Sequence, residues 1–361
     1  MTDVTARLLG TAGPLTGAHD VLLLDLDGVV YIGQDVVPGA REALEAVRTE
    51  GVALRFVTNN ASRPPQTVAD HLVRLGVPAL AAEVVTSAQV ASALLAKRFG
   101  PGAGVLVIGA EGLRDALRAQ QLVPMDSVDE GPVAVVQGFG PDVGWRRLAE
   151  ATRAVRAGLF WMATNLDLTV PTAYGPAPGN GSLVGVVATA AGRGPDDVAG
   201  KPRPGAFREA AEQAGSTAPL VVGDRLDTDL EGARAAGMPG LLVLTGVTGV
   251  GELLASPAEQ RPDHVGRDLW SLCDPHPAVV PDATGDRTVR VRCGAAVVVM
   301  EPVDGRAGLH VEAAGNDALD LLRAGAVATW AGRDADPSLA VDPGPLTEAV
   351  GGVEPGVTWA R

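Results

Sequence analysis

Val21-Leu22-Leu23-Leu24-Asp25-Leu26-Asp27-Gly28 is the stretch on which the reading of the fold turns. Its first four residues form an unbroken apolar run that ends in acid. A strand with one wet face alternates apolar and polar residues. A continuous run is buried on both faces, the habit of parallel sheets covered by helices on each side. At strand spacing the carboxylates of Asp25 and Asp27 project to one side while Leu26 projects to the other. Ligands of open α/β sheets bind outside the carboxyl ends of the strands, where these two acids stand. Gly28 lets the chain turn sharply beside a bound group.

Outward from this strand, 41–50 reads as a helix stopped by Gly51, 52–58 as a second buried strand, and Val84-Val85 as a third. This β-α-β order predicts a right-handed, doubly wound sheet. Gly and Pro crowd 97–104, a hinge, beyond which a new series begins: strand 105–108, helix 113–120, strand 133–136, helix 145–157 and strand 160–163. The Gly/Pro-rich 171–181 reads as a loop at its edge, and 182–191 leads back. An apolar strand ending in acid recurs at 220–224, followed by a helix at 228–236 that stops at Gly237 and a strand at 240–244. The Pro- and Asp-rich 275–286 reads as a linker, with strands at 288–300 and 309–312 and a helix at 317–329 beyond it. The expected fold is α/β: a doubly wound parallel-sheet (Rossmann-like) core made of 1–96 and 190–274, an inserted α/β cap at 97–189, a linker at 275–286 and a small α+β appendage at 287–361.

The 361 residues suit two or three domains, and 46% hydrophobic residues supply ample core. Aromatics are only 3%, so the apolar mass is Val, Leu and Ala. A formal charge of −14 excludes a broad basic face and with it a nucleic-acid partner. It does not exclude a small anionic substrate, because local cations outweigh distant net charge. Cys273 and Cys293 fit no zinc or C-x-x-C spacing, so free thiols are expected. The first twenty residues carry no basic segment followed by an apolar core, and the apolar runs are too short for membrane insertion; a cytoplasmic protein is expected.

Four pieces carry chemistry. Asp25 and Asp27 can divide the work of nucleophile and proton donor that a phosphate ester requires, although Asp and Gly are also ordinary turn residues. Thr58-Asn59-Asn60 ends the second strand, where a hydroxyl and successive N–H groups could hold phosphoryl oxygens; alone it reads as an Asx turn. Lys201, between Gly200 and Pro202, is a cation in a rigid setting before a helix, suited to neutralising phosphoryl charge, where a surface lysine is the ordinary alternative. Gly223-Asp224-Arg225-Leu226-Asp227-Thr228-Asp229 ends a buried strand with three acids. Mg²⁺ prefers one or two carboxylates with substrate oxygens and water, and Asp224 is the best candidate ligand. Asp229 stands in the outer shell or holds Lys201, and Asp227 or Thr228 serves as a helix cap.

In this order and at these strand ends, the pieces resemble the four motifs of the haloacid dehalogenase-like phosphatases. The resemblance implies Asp25 as nucleophile and metal ligand, Asp27 as general acid/base with its carbonyl on Mg²⁺, Thr58 and Lys201 on the phosphoryl group, and Asp224 on the metal. Asp27 favours a phosphatase, since dehalogenases of the superfamily lack that acid and transport ATPases carry Thr. An insertion between the second and third motifs resembles the nucleotidase, p-nitrophenyl-phosphatase and phosphoglycolate-phosphatase subgroup, to whose cap Ala163-Thr164-Asn165-Leu166-Asp167 and Pro178-Gly179-Asn180-Gly181-Ser182-Leu183 are similar. Ala61 departs from the pattern, since many relatives carry Ser there. The extra C-terminal segment resembles that of the actinomycete-type glycerol-3-phosphate phosphatases, in which it is similar to a fragment of an acetyltransferase fold. The implied partner is a small phosphorylated metabolite, glycerol 3-phosphate first, with phosphoglycolate, a nucleoside monophosphate or pyridoxal phosphate as alternatives. A cap of this type can dimerise, although no residue pattern here carries an interface. A phosphometabolite sensor and a phosphotransferase are the rival readings, and a sensor would not need Asp27. In the tail, Asn316-Asp317 places acid where an acyl-CoA pyrophosphate would have to sit, and Cys293 and His310 read as a strand hydrophobe and a partly exposed side chain.

Overall fold

The computed structural model describes residues 7–172, 175–283 and 288–350. Contacts group the chain into two compact units, Met1–Leu54 with Ser216–Arg361, and Arg55–Gly215.

In the first unit four parallel strands lie in the order His264–Gly266, Gly240–Val243, Pro219–Gly223, Val21–Leu24. Leu24 pairs with Val222, so the two acid-bearing ends emerge at the same edge. Val21–Leu24 is buried throughout, as its unbroken apolar run predicts. The helix Ala40–Thr49 turns Ala43, Leu44 and Val47 inward and is followed by Gly51 at a φ of +82°, a left-handed conformation open to glycine. The helix expected at 228–236 begins as a wide π-type turn, Leu226–Leu230, and continues as Glu231–Ala236.

The tail departs from expectation in two places. The linker at 275–286 contains a strand, Val279–Ala283, antiparallel to Val289–Cys293; 284–286 lie outside the described residues. It is an edge strand, where Pro281 can be accommodated because its missing N–H can face away from the ladder. The stretch 288–300, expected as one strand, is a hairpin: Val289–Cys293 turns through Gly294, at φ +54°, into Ala296–Val303. Arg306–Ala313 and Ala340–Val341 complete a five-stranded sheet, packed against the helix Ala318–Ala335. Val298, Met300 and Trp330 of this segment share one apolar core with Leu242, Leu253 and Val265. Residues 351–361 of the expected appendage lie outside the described residues.

In the second unit Phe56, Val57 and Thr58, the end of the strand Ala53–Thr58, pair in parallel with Val84–Thr86, which runs directly into the helix Ser87–Phe99. Thr86 and Gln89 cap that helix reciprocally. A five-stranded parallel sheet follows, in the order Asp197–Val198, Phe160–Ala163, Ala134–Gln137, Gly104–Ile108, Val123–Met125. Ile108, Val135, Trp161 and Ala163 form an apolar core with Leu148, Ala151, Val184 and Val187 of the helices Trp145–Arg156 and Asn180–Ala191. The expected loop at 171–181 contains one arm and the end of the other of an antiparallel hairpin, Thr169–Thr172 with Gly175–Pro178; 173–174 lie outside the described residues. Within this unit, which runs from Arg55 to Gly215, the helix Ser87–Phe99 packs on Glu111–Ala119 and on Gly205–Ala214. No described helix is long and apolar enough to cross a membrane.

Candidate active site

In the first unit, carboxylate oxygens of Asp25, Asp224 and Asp229 lie within 4.8 Å of one another. Two neighbouring strands deliver the first two acids, and the π-type turn returns the third. The main chain pins the cluster. The Asp25 N–H donates to Val222 O at 2.9 Å, and Arg225 N–H donates to the Asp229 carboxylate at 3.2 Å. Asp224 accepts from Val247 N–H at 2.7 Å, and its carbonyl accepts from Thr248 N–H at 3.2 Å. Asp224 and Asp229 are buried, so their mutual repulsion is poorly screened and a cation fits among them. Asp27 is exposed and is not one of the three. Asp227 is drawn aside by a two-pronged bond to Arg225, at 3.0 and 2.8 Å.

Two glycines make room for Asp224. A Cβ at Gly28 or Gly246 would collide with the Asp224 carboxylate. Gly28 also has φ +82°, and its carbonyl accepts from Thr245 Oγ1 at 2.6 Å. The loop at 245–248 therefore shapes the acid cluster, a contribution that sequence reading missed; Gly246 close after a buried strand was the available signal.

In the second unit the phosphate-loop candidates divide. Thr58 is buried at its strand end, and its Oγ1 accepts from Asn60 N–H at 3.1 Å. Asn60 Oδ1 accepts from Ser62 N–H at 2.8 Å and Ser62 Oγ at 2.9 Å, which is the turn-building role of an Asx motif. Asn59 has its side chain engaged with Lys201 and Asp167. Lys201 is buried, donates from Nζ to Val57 O at 3.2 Å, and sits 6.0 Å from the Phe207 ring centroid. Asn165, Asp167 and Asn180, noted in sequence only as phrases of a cap, join this network. Asn165 Nδ2 donates to Asn59 O at 2.7 Å, and Asn180 Nδ2 to Asn165 O at 2.8 Å.

The tail offers no comparable chemistry at Cys293 or Asp317. Burial pushes the Cys293 thiol up to about 12, so no thiolate forms there near neutrality. Asp317 caps the helix Ala318–Ala335, accepting from Leu319 N–H at 2.8 Å.

The chain belongs to the haloacid dehalogenase-like hydrolases, matching the family of that description over residues 22–123 and a HAD-hydrolase-like family over 198–272. It is 44% identical over 325 residues to the D-glycerol 3-phosphate phosphatase of Mycobacterium tuberculosis, covering 88% of each chain. A crystal structure of glycerol phosphate phosphatase from that organism in complex with magnesium superposes with a TM-score of 0.77 at 42% identity, covering 91% of this chain and 94% of the other. The 4-nitrophenylphosphatase of Thermotoga maritima superposes with a TM-score of 0.66 at 33% identity, covering 72% of this chain and 98% of that one.

Proposed function

We propose that this chain hydrolyses a small phosphomonoester through a phosphorylated Asp25, and that glycerol 3-phosphate is its substrate. The observation that carries the reading is the gathering of Asp25, Asp224 and Asp229 carboxylates within 4.8 Å. A donor set of hard oxygens fits Mg²⁺. Asp25 and Asp224, with the Asp27 carbonyl, would hold the ion, which when bound neutralises charge on the phosphoryl oxygens.

The chain's own residues supply the rest. An Asp25 oxygen attacks phosphorus while the bond from phosphorus to the ester oxygen breaks, and Asp27 gives its proton to the departing alkoxide. Water then attacks the aspartyl phosphate, Asp27 takes a proton from it, and the bond to Asp25 breaks to release phosphate. Thr58 and Lys201 hold the phosphoryl oxygens and offset the charge that develops on them.

The substrate follows from the extent of likeness. Similarity to the Mycobacterium phosphatase covers 88% of this chain, and similarity to the Thermotoga one covers 72%. Two free cysteines and a soluble metabolite support a cytoplasmic reaction. The test is phosphate release from a panel of phosphomonoesters with Mg²⁺ or EDTA, for wild type and Asp25→Asn. Release that needs Mg²⁺, vanishes in the variant and is fastest with glycerol 3-phosphate is expected. Release that survives in Asp25→Asn refutes the nucleophile, and a faster ester refutes the substrate.

A further inference from the structure

Asn59 stands beside the residues given phosphate-binding roles, yet its side chain faces the protein. Its Oδ1 accepts from Lys201 N–H at 2.8 Å, and its Nδ2 donates to Lys201 O at 3.2 Å. One amide thus grips the lysine's main chain at both polar atoms, as a neighbouring strand would. The same Nδ2 donates to the Asp167 carboxylate at 3.1 Å. An asparagine has two N–H donors and one carbonyl oxygen, so both donors and the oxygen are engaged. The Asn59 carbonyl meanwhile accepts from Asn165 Nδ2 and Ser87 Oγ, each at 2.7 Å.

Two features around this grip point the same way. A Cβ on Gly200 would meet Asn59 Oδ1 at 2.5 Å, so the close approach requires glycine at 200. Pro202 has no N–H with which to tie down the other side. The Lys201 main chain is therefore held by Asn59 at both of its polar atoms.

Resting on the proposed phosphatase function, we infer that Asn59 is a positioning residue that sets the place of the Lys201 ammonium and ties it to the cap segment carrying Asp167. A charge that acts on the transition state must be fixed before reaction, and displacement by an ångström costs about 100-fold in rate. Asp167 makes the tie charge-dependent, because a carboxylate accepts from a neutral amide and repels another carboxylate.

The experiment uses the full chain. Asn59→Asp keeps an acceptor for Lys201 N–H but loses both donors and faces Asp167 with like charge. Expected is a fall in kcat of about 100-fold with KM changed less than about threefold. Adding Asp167→Asn restores a donor between the pair, and the double variant is expected to recover to within about tenfold of wild type. Hydrogen exchange at the Lys201 amide, read by NMR, is expected to quicken by at least about tenfold in Asn59→Ala, whatever the activity. A kcat within threefold of wild type in Asn59→Asp, no recovery in the double variant, or unchanged exchange at Lys201 overturns the inference. If wild type releases no phosphate from any ester, the phosphatase reading fails by itself and amide exchange decides the role of Asn59.

Discussion

Acid should destabilise the first unit through His264, and the size of the effect can be worked out. His264 opens a core strand, is 4% exposed, and its Nδ1 bonds Leu9 O at 3.2 Å. Its ring lies 5.1 Å from that of His276, whose Nδ1 in turn receives Arg323 Nη2 at 3.2 Å. Burial foremost, then the charges of His276, His19 and Arg323, holds His264 down to about 3 from 6.5. Its folded value is depressed, so between these limits the unfolded chain binds a proton that the folded one refuses. The stability is fully present above about 6.5 and is lost as pH falls toward 3. At pH 5.0 the loss is the gap between 6.5 and 5.0, about 2 kcal/mol. His276 and His19 are shifted down too, burial again first, and add in the same direction. The perturbation is His264→Asn, which keeps a donor for Leu9 O but cannot titrate. Urea unfolding at pH 7.5 and 5.0, for both proteins, isolates the term: the loss on acidification should be about 2 kcal/mol smaller in the variant. Equal acid losses in the two would refute the reasoning, whatever the variant's stability at pH 7.5.

Two shorter predictions concern other places. Gly246→Ala pushes a Cβ into the Asp224 carboxylate, so the Mg²⁺ concentration for half-maximal phosphate release should rise by more than about tenfold, while the Tm falls by only a few degrees. Trp330→Ala opens a fully buried site and removes the donor to Leu253 O at 2.9 Å, so about 3–5 kcal/mol of stability should be lost in denaturant unfolding with kcat per folded molecule kept.

Much of the fold was legible because its strands are short apolar runs punctuated by glycine. Phe160–Ala163 falls where the sequence puts it, and Val21–Leu24 is buried on both faces as its composition requires. What escaped reading is long-range pairing. Val279–Ala283 looks like linker because Pro and Asp dominate it, and only its partner, Val289–Cys293, makes it a strand. The same reason hides Asn59. Its neighbours in sequence suggest a phosphate loop, while its bonds go to residues 108 and 142 positions downstream. Asp25, Asp224 and Asp229, which the fold gathers, each end a buried run or follow one closely, and that much is visible in sequence. Gly246 was not, because a glycine near a strand end has many ordinary uses.

The C-terminal segment is packed into the first unit and shares its apolar core. Arg323 is buried on the helix Ala318–Ala335 and donates to Val265 O from Nε at 3.0 Å and Nη2 at 2.6 Å, capping a core strand's carbonyl. Arg261 reaches the same helix through a two-pronged bond to Asp334, at 2.8 and 2.7 Å. Trp330 bonds Leu253 O in the short helix Val250–Ala255, which follows directly from the loop holding Asp224. Buried charges of this kind are costly when one partner is removed, since the survivor keeps its desolvation without its bond. Cutting the segment away would strand Arg261 and uncover Leu253 and Val265 of the shared core. The acid cluster and the tail are therefore two ends of one packed structure, joined through the residues 245–255.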